Sequence, residues 1–289
     1  TCALPILHRV VNAAERELAA GGRHYQFGGL IASVVTDPTT GDPAIVPTSL
    51  PALTRTLSEL VTFEMMTQSG EWVRVDPPTR HVGILDNMQK YEHLSALAGV
   101  VRQPYFRESD GTLVMEAGYD AISQRFGVFD ARQFDIPEPT LDAAGAALTL
   151  LEDLISEFRF VAATDKAAAL SAIITSCVRP TLDYAPAYHV RAPVFGSGKT
   201  YLCELIGAFA GPGRNAKVSY PTTSEEATKV ILSLLLTSPA VVEFDDMATD
   251  WIPHGTIMRV LTAEKITDRI LGVSKTATVG TRALFLSSG

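Results

Sequence analysis

The chain has 289 residues, 46% of them hydrophobic and 19% charged, with 24 Lys and Arg against 32 Asp and Glu for a net charge of −8. That length and apolar content suffice for one large domain or two modest ones and exclude a disordered tail. The acidic balance excludes a protein that coats nucleic acid by bulk charge, while leaving room for a local basic hairpin.

Cys2, Cys177 and Cys203 are too scattered for a disulfide framework or zinc cluster, so isolated thiols in a reducing compartment are expected. The six histidines show no metal-ligand spacing. No apolar run approaches the ~18 residues of a membrane helix, the best being Val230 to Leu236. A cytoplasmic protein with no membrane partner is expected. A chain that opens Thr1-Cys2 without Met is expected to be a fragment.

In chain order, apolar spacing predicts a helix from Leu4 to Ala20, stopped by Gly21-Gly22. A strand is predicted over Gln26 to Val35. A helix capped by Ser49 is predicted to run to Met66, followed by a strand over Gly70 to Val75 and a helix from His81 to Leu97. The texture then turns β, with extended runs from Val100 to Phe106 and Leu113 to Glu116 around an Asp110-Gly111 turn, and another at Gly118 to Asp120. Asp135 to Thr140 reads as a linker, which divides an N-terminal α+β accessory domain (1–135) from a second domain (136–289). The second begins with a helical linker, Leu141 to Phe160 and Asp165 to Leu182. Strands at His189–Ala192, Ala216–Tyr220, Pro239–Phe244 and Arg282–Ser287 then alternate with helices at Lys199–Ala210, Ser224–Leu236 and Gly255–Thr262. That alternation predicts an α/β fold with a mostly parallel sheet.

Within it, Pro193-Val194-Phe195-Gly196-Ser197-Gly198-Lys199-Thr200 matches the phosphate-binding loop Gly-x-x-x-x-Gly-Lys-[Ser/Thr] except at its first position. Gly196 and Gly198 let backbone N–H groups converge on phosphate, and the helix that follows adds positive potential. Lys199 is expected to neutralise β/γ-phosphate oxygens and Thr200 to ligate Mg²⁺. The expected nucleotide-binding set is Gly196, Ser197, Gly198, Lys199, Thr200 and Tyr201, with ATP and Mg²⁺ as the cofactors. The context, strand before and helix after, outweighs a chance Gly-Ser-Gly linker.

A P-loop ATPase also needs a carboxylate at the end of a buried strand. Ala240 to Asp246 supplies one: Asp245 for the metal and Asp246 to orient or deprotonate the attacking water. Aspartate is shorter than the glutamate usual at the second position. Glu243, on the same strand face as Asp245, is the reserve candidate.

Arg269–Val273 and Thr276–Val279 can pair as a hairpin with Ser274-Lys275 at its tip. Lys275 is then a DNA-binding candidate, touching phosphates without reading sequence, against the alternative of a solvated hairpin. Arg269 is a candidate arginine finger, against the alternative of an ion pair with Asp268 or Glu264; Arg282 is a weaker one. Trp72, Tyr105, Phe106 and Tyr119 suit a base-stacking face, but strand aromatics are more often core, and core is expected.

Taken together, Ala192-Pro193-x-x-Gly196-Ser197-Gly198-Lys199-Thr200-Tyr201-Leu202, Glu225-Glu226-x-x-Lys229, Phe244-Asp245-Asp246, Asp268-Arg269-Ile270-Leu271-Gly272 and Leu284 to Gly289 resemble the helicase-like ATPase of phage, prophage and integrative-element primase-helicases, which are similar to superfamily 3 and AAA+ motors. The likeness extends upstream through Pro77-Pro78, Leu97 to Pro104, Asp110-Gly111-Thr112 and Gly118-Tyr119-Asp120, and so covers about residues 75–289. The resemblance implies an AAA+-like P-loop sheet in an ATP-driven helicase or translocase of a mobile genetic element, working on single-stranded DNA as a homo-oligomer, a hexamer in that family's usual form. This chain departs from the pattern in having Asp246 where the family usually has Asn, and in ending at Gly289 before the family's polar sensor residue, so a motor truncated at its C-terminal end is expected. A nucleotide-gated loader and, more remotely, a small-molecule kinase are the alternatives.

Overall fold

The computed structural model describes residues 7–194, 196–272 and 275–289. The chain opens with α1 (Leu7–Ala20), whose inner stripe buries Val11, Ala14 and Leu18; the predicted start at Leu4 lies outside the described residues. Where one strand was expected, two form: β1 (Tyr25–Phe27) and β2 (Leu30–Thr36) pair antiparallel across Gly28-Gly29. Both glycines have positive φ, and a Cβ on Gly28 would sit 2.9 Å from the Thr278 carbonyl oxygen, so only glycine turns there without strain. β3 (Pro43–Pro47) extends the sheet.

α2 (Leu50–Leu60) is capped by Ser49 as expected, but it stops short of Met66. Phe63 to Met66 instead forms β4, paired with β5 (Trp72–Val75). α3 (Thr79–Asn87) is also shorter than predicted. The segment to Leu97 is claimed by tertiary hydrogen bonds: Glu15 Oε1 accepts from the N–H groups of His93 and Leu94, and Gln26 Nε2 donates to Leu94 O. These bonds win over local helix propensity, which is a weak prior.

The β-rich middle holds β6 (Gly99–Val101), β7 (Tyr105–Phe106), β8 (Leu113–Val114), β9 (Gly118–Asp120) and β10 (Arg125–Gly127). β7 and β8 are the expected hairpin, with Gly111 at φ +69 and the Asp110 carboxylate accepting from Thr112 N–H. β10 lies between β6, parallel to it, and β9, antiparallel. After the linker come α4 (Leu141–Leu154) and α5 (Ala163–Val178), each shorter than predicted.

The last third alternates as expected: β11 (Tyr188–Val190), α6 (Lys199–Ala208), β12 (Ala216–Val218), α7 (Ser224–Leu235), β13 (Val241–Phe244), α8 (Gly255–Thr262), a hairpin of β14 (Lys265–Arg269) and β15 (Thr276–Gly280), then β16 (Leu284–Ser288). β11, β16, β13 and β12 form one sheet in that spatial order, every pair parallel. Alternate residues face opposite sides. Val241, Leu284 and Leu286 pack with Ile173 of α5 and Ile206 of α6, while Val242, Phe244 and Phe285 pack with Ile231 of α7 and Ile257 of α8. Helices on both faces make this a mixed α/β fold around a parallel sheet.

Residues on both sides of position 136 share one hydrophobic cluster. α1, α2 and α3 share a cluster of their own, but Tyr25, Phe27, Ile45, Leu97 and Val100 join the large cluster of β13, β16 and α7. Among the described residues, no helix is long and apolar enough to cross a membrane.

Candidate functional site at the carboxyl ends of the parallel strands

In an open parallel sheet, ligands settle beyond the carboxyl ends of the strands. Here those ends bring together three segments far apart in sequence. After β11 the loop 193–200 turns through Gly196 (φ +75) and Gly198 (φ +86), left-handed positions that suit glycine, and Gly198 is the N-cap of α6. Phe195 lies outside the described residues. Lys199 and Thr200 are the first two residues of the helix, half-buried, so the free N–H groups and the positive end of the helix dipole open onto the loop.

Asp245 follows β13 directly. Its Oδ1 accepts from Ser288 Oγ at 2.7 Å, from Asp246 N–H at 3.0 Å and from Thr200 Oγ1 at 3.4 Å. Oδ2 lies 4.0 Å from Lys217 Nζ. The two residues expected to hold a metal thus already meet, across 45 positions of sequence. Their donors are hard oxygens, the chemistry that Mg²⁺ takes. Among the described residues there is no cluster of three or more His, Cys, Asp or Glu that could hold a metal. Asp246 is exposed and held at φ +50, a left-handed conformation uncommon outside glycine and tolerated by aspartate.

Glu243, the reserve candidate, is structural. It is fully buried, and its Oε2 accepts from Asn215 Nδ2 at 2.7 Å. Burial raises its pKa, opposed by Asn215 and by Lys217, whose ammonium is 3.7 Å from Oε1. Behind the site, Ser287 Oγ accepts from Trp251 Nε1 at 2.7 Å and lies 2.6 Å from His189 Nδ1. An indole can only donate, so the serine proton is free to go to a neutral His189. Burial and the nearby Arg191 both lower the His189 pKa, which favours that neutral ring. This chain ties β11, β16 and the loop after Asp246 together.

Ser288, Ser287, Trp251, His189 and Asn215 were not singled out from sequence. Serines at the end of an apolar strand, and single polar residues on others, carry no spacing signal until the strands are laid side by side.

The remaining sequence candidates lie elsewhere. The hairpin forms, but with Lys265 to Arg269 rather than Arg269 to Val273 as its first strand, paired to Thr276–Gly280. Its tip residues Val273 and Ser274 lie outside the described residues. Lys275 donates to Asp86 Oδ2 at 2.6 Å and to Asp86 O at 3.0 Å, so its ammonium is engaged by a carboxylate. Arg269 is exposed, and the ion pair weighed for it does not form: Asp268 bonds Arg259 at 3.2 Å instead. Among the described residues no hydrogen bond or ion pair joins Arg269 to Gly196–Thr200. Arg282 is spent on Glu108, Asp183 and Pro180 O. Of the four aromatics expected in the core, Tyr105 is buried and Tyr119 packs at a tilt against Tyr25, but Trp72 and Phe106 are exposed because they sit on two-stranded hairpins with one open face. A cleft of about 550 Å³ between Gly28-Gly29, Gln124-Arg125 and the β14–β15 hairpin lies away from the loop 193–200.

The sequence matches no family model and no curated protein. Among solved structures, the apo A form of the NrS-1 C-terminal region is similar at a TM-score of 0.37 and 10% identity. The match covers 95% of this chain and 56% of that one, so this chain spans little more than half its length.

Proposed function

We propose that the chain is the ATPase core of a P-loop motor that hydrolyses ATP to move on single-stranded DNA during replication of a mobile genetic element, working as a homo-oligomer of hexameric type. The observation that carries the reading is the meeting of Thr200, opening the helix after a left-handed glycine loop, with Asp245 at the end of the neighbouring acidic strand. In this reading Gly196, Ser197, Gly198 and Lys199 cradle the phosphates. Thr200 and Asp245 hold Mg²⁺, which when bound neutralises charge on the β- and γ-phosphates. Asp246 orients the attacking water and takes its proton as the new P–O bond forms and the bond to the β-phosphate oxygen breaks. Ser288 holds Asp245 in place. Residues 7–135 form an accessory region packed on this core.

The exposed, shorter Asp246 favours one second reading, a nucleotide-gated loader with little turnover.

The test is ATP hydrolysis with and without single-stranded DNA, with Lys199→Ala as the blank. DNA-stimulated turnover that disappears in the mutant supports the motor. Nucleotide binding without stimulation moves the assignment to the loader, and an unchanged rate in Lys199→Ala sinks the site.

A further inference from the structure

α4 ends at Leu154, and the chain then turns across the start of α6. Ile155, fully buried, anchors this turn among Leu202, Cys203 and Ile206. Phe158 follows, half-buried, with its Cε1 3.4 Å from where a Cβ on Gly198 would lie. Its ring stacks on Tyr201, centroids 6.0 Å apart and planes 22° from parallel, and Phe160 flanks it at 6.3 Å. Phe158 and Phe160 are backed by the core, but Tyr201 is 65% exposed. An aromatic platform therefore abuts the loop, with an open ring one residue beyond Thr200.

We propose that Tyr201, held by Phe158, is the nucleobase subsite of this loop, and that it recognises a purine nucleotide by stacking. This rests on the phosphate-loop reading above. The open Tyr201 ring extends a stack that is already built, and a base reaching it would displace only water. Stacking engages a π-face that every base has, so it distinguishes bases by area rather than by hydrogen-bonded edge. ATP and GTP are then held alike, and both more tightly than CTP.

The experiment is calorimetric titration of the 289-residue protein with ATP, GTP, CTP and inorganic tripolyphosphate, each with Mg²⁺. The expected result is that Tyr201→Ala weakens ATP and GTP by about 5- to 100-fold and leaves tripolyphosphate unchanged. Tyr201→Phe restores the loss, and Phe158→Leu reproduces part of it. Because Tyr201 is exposed, an unchanged melting temperature will exclude misfolding as the cause. The subsite is overturned if Tyr201→Ala binds ATP as wild type does, or if it loses tripolyphosphate by the same factor. It is also overturned if wild type prefers one purine strongly, since stacking cannot do that. A wild type that binds neither ATP nor tripolyphosphate, or a Lys199→Ala variant that binds both normally, brings down the phosphate loop itself. Tripolyphosphate binding that survives every aromatic change, with ATP no tighter, brings down only the base subsite.

Discussion

Two charged clusters in this molecule are built on opposite principles. Around Pro180, Arg125, Arg179 and Arg282 spend their donors inside the fold. Arg179, 2% exposed, donates to the carbonyls of Ala283, Thr281 and Leu182; Arg125 and Arg282 share Glu108 and Pro180 O. Burial and the two neighbouring guanidiniums lower the Arg179 pKa to about 10, and the carbonyls keep the ion tolerable. The ends of the parallel strands are the reverse. Asp245 uses one oxygen on three donors and leaves the other with only a 4.0 Å ion pair to Lys217, Lys199 opens a helix, and Asp246 is exposed in a left-handed turn. A saturated cluster fastens the middle of the chain to the sheet, whereas an unsaturated one can still accept a ligand.

The contrast can be broken at several points. Arg179→Ala, which orphans two buried carbonyls and a third partly buried one, is expected to cost about 4 kcal/mol of stability, read by urea denaturation, with nucleotide affinity of the folded fraction unchanged. Asp246→Ala is expected to lower ATP turnover about 100-fold or more while leaving ATP affinity and melting temperature as they are. A matching loss of affinity would assign Asp246 to binding instead.

Asp120 offers a pH test of the saturated type. Arg107 donates to both its oxygens at 2.9 and 3.0 Å, and with Ser123 it holds this carboxyl well below the usual range despite burial. A depressed folded pKa means that the contribution is present above the unfolded value near 4 and is lost as pH falls below it. Asp120→Asn is therefore expected to lose about 2 kcal/mol at pH 7 and progressively less difference from wild type in acid. The smallest effect belongs to the hairpin. Asp86→Asn, which removes the carboxylate charge facing Lys275 and keeps the backbone carbonyl, is expected to cost no more than about 1 kcal/mol. If the hairpin meets DNA, the same change raises single-stranded DNA affinity a few-fold at low salt, measured by fluorescence anisotropy.

The strand and helix alternation after residue 186, the phosphate-loop motif and the acidic strand were legible because each is local: apolar period, glycine placement and a Lys-Thr pair are all contiguous. α8 spans the predicted residues, and Ser49 and the Asp110-Gly111 turn behave as their side chains dictate. The misread elements are those where distant groups overrule local propensity. α3 ends early because Glu15 and Gln26 take the backbone that would have continued it. Lys275 looked like a free cation until the fold set Asp86 beside it, 189 positions away.

The amino-acid order by itself thus determined the mixed α/β class of the fold and its parallel sheet, and marked one loop and two carboxylates as candidates for chemistry. Only the tertiary structure decided that Thr200, Asp245 and Ser288 meet, that Glu243 is sealed, and that Phe158 leans over Gly198. Hydrogen bonds and ring contacts act over about 3 to 6 Å in space. Such partners lie within that range only in the folded chain, where β16 sits between β11 and β13.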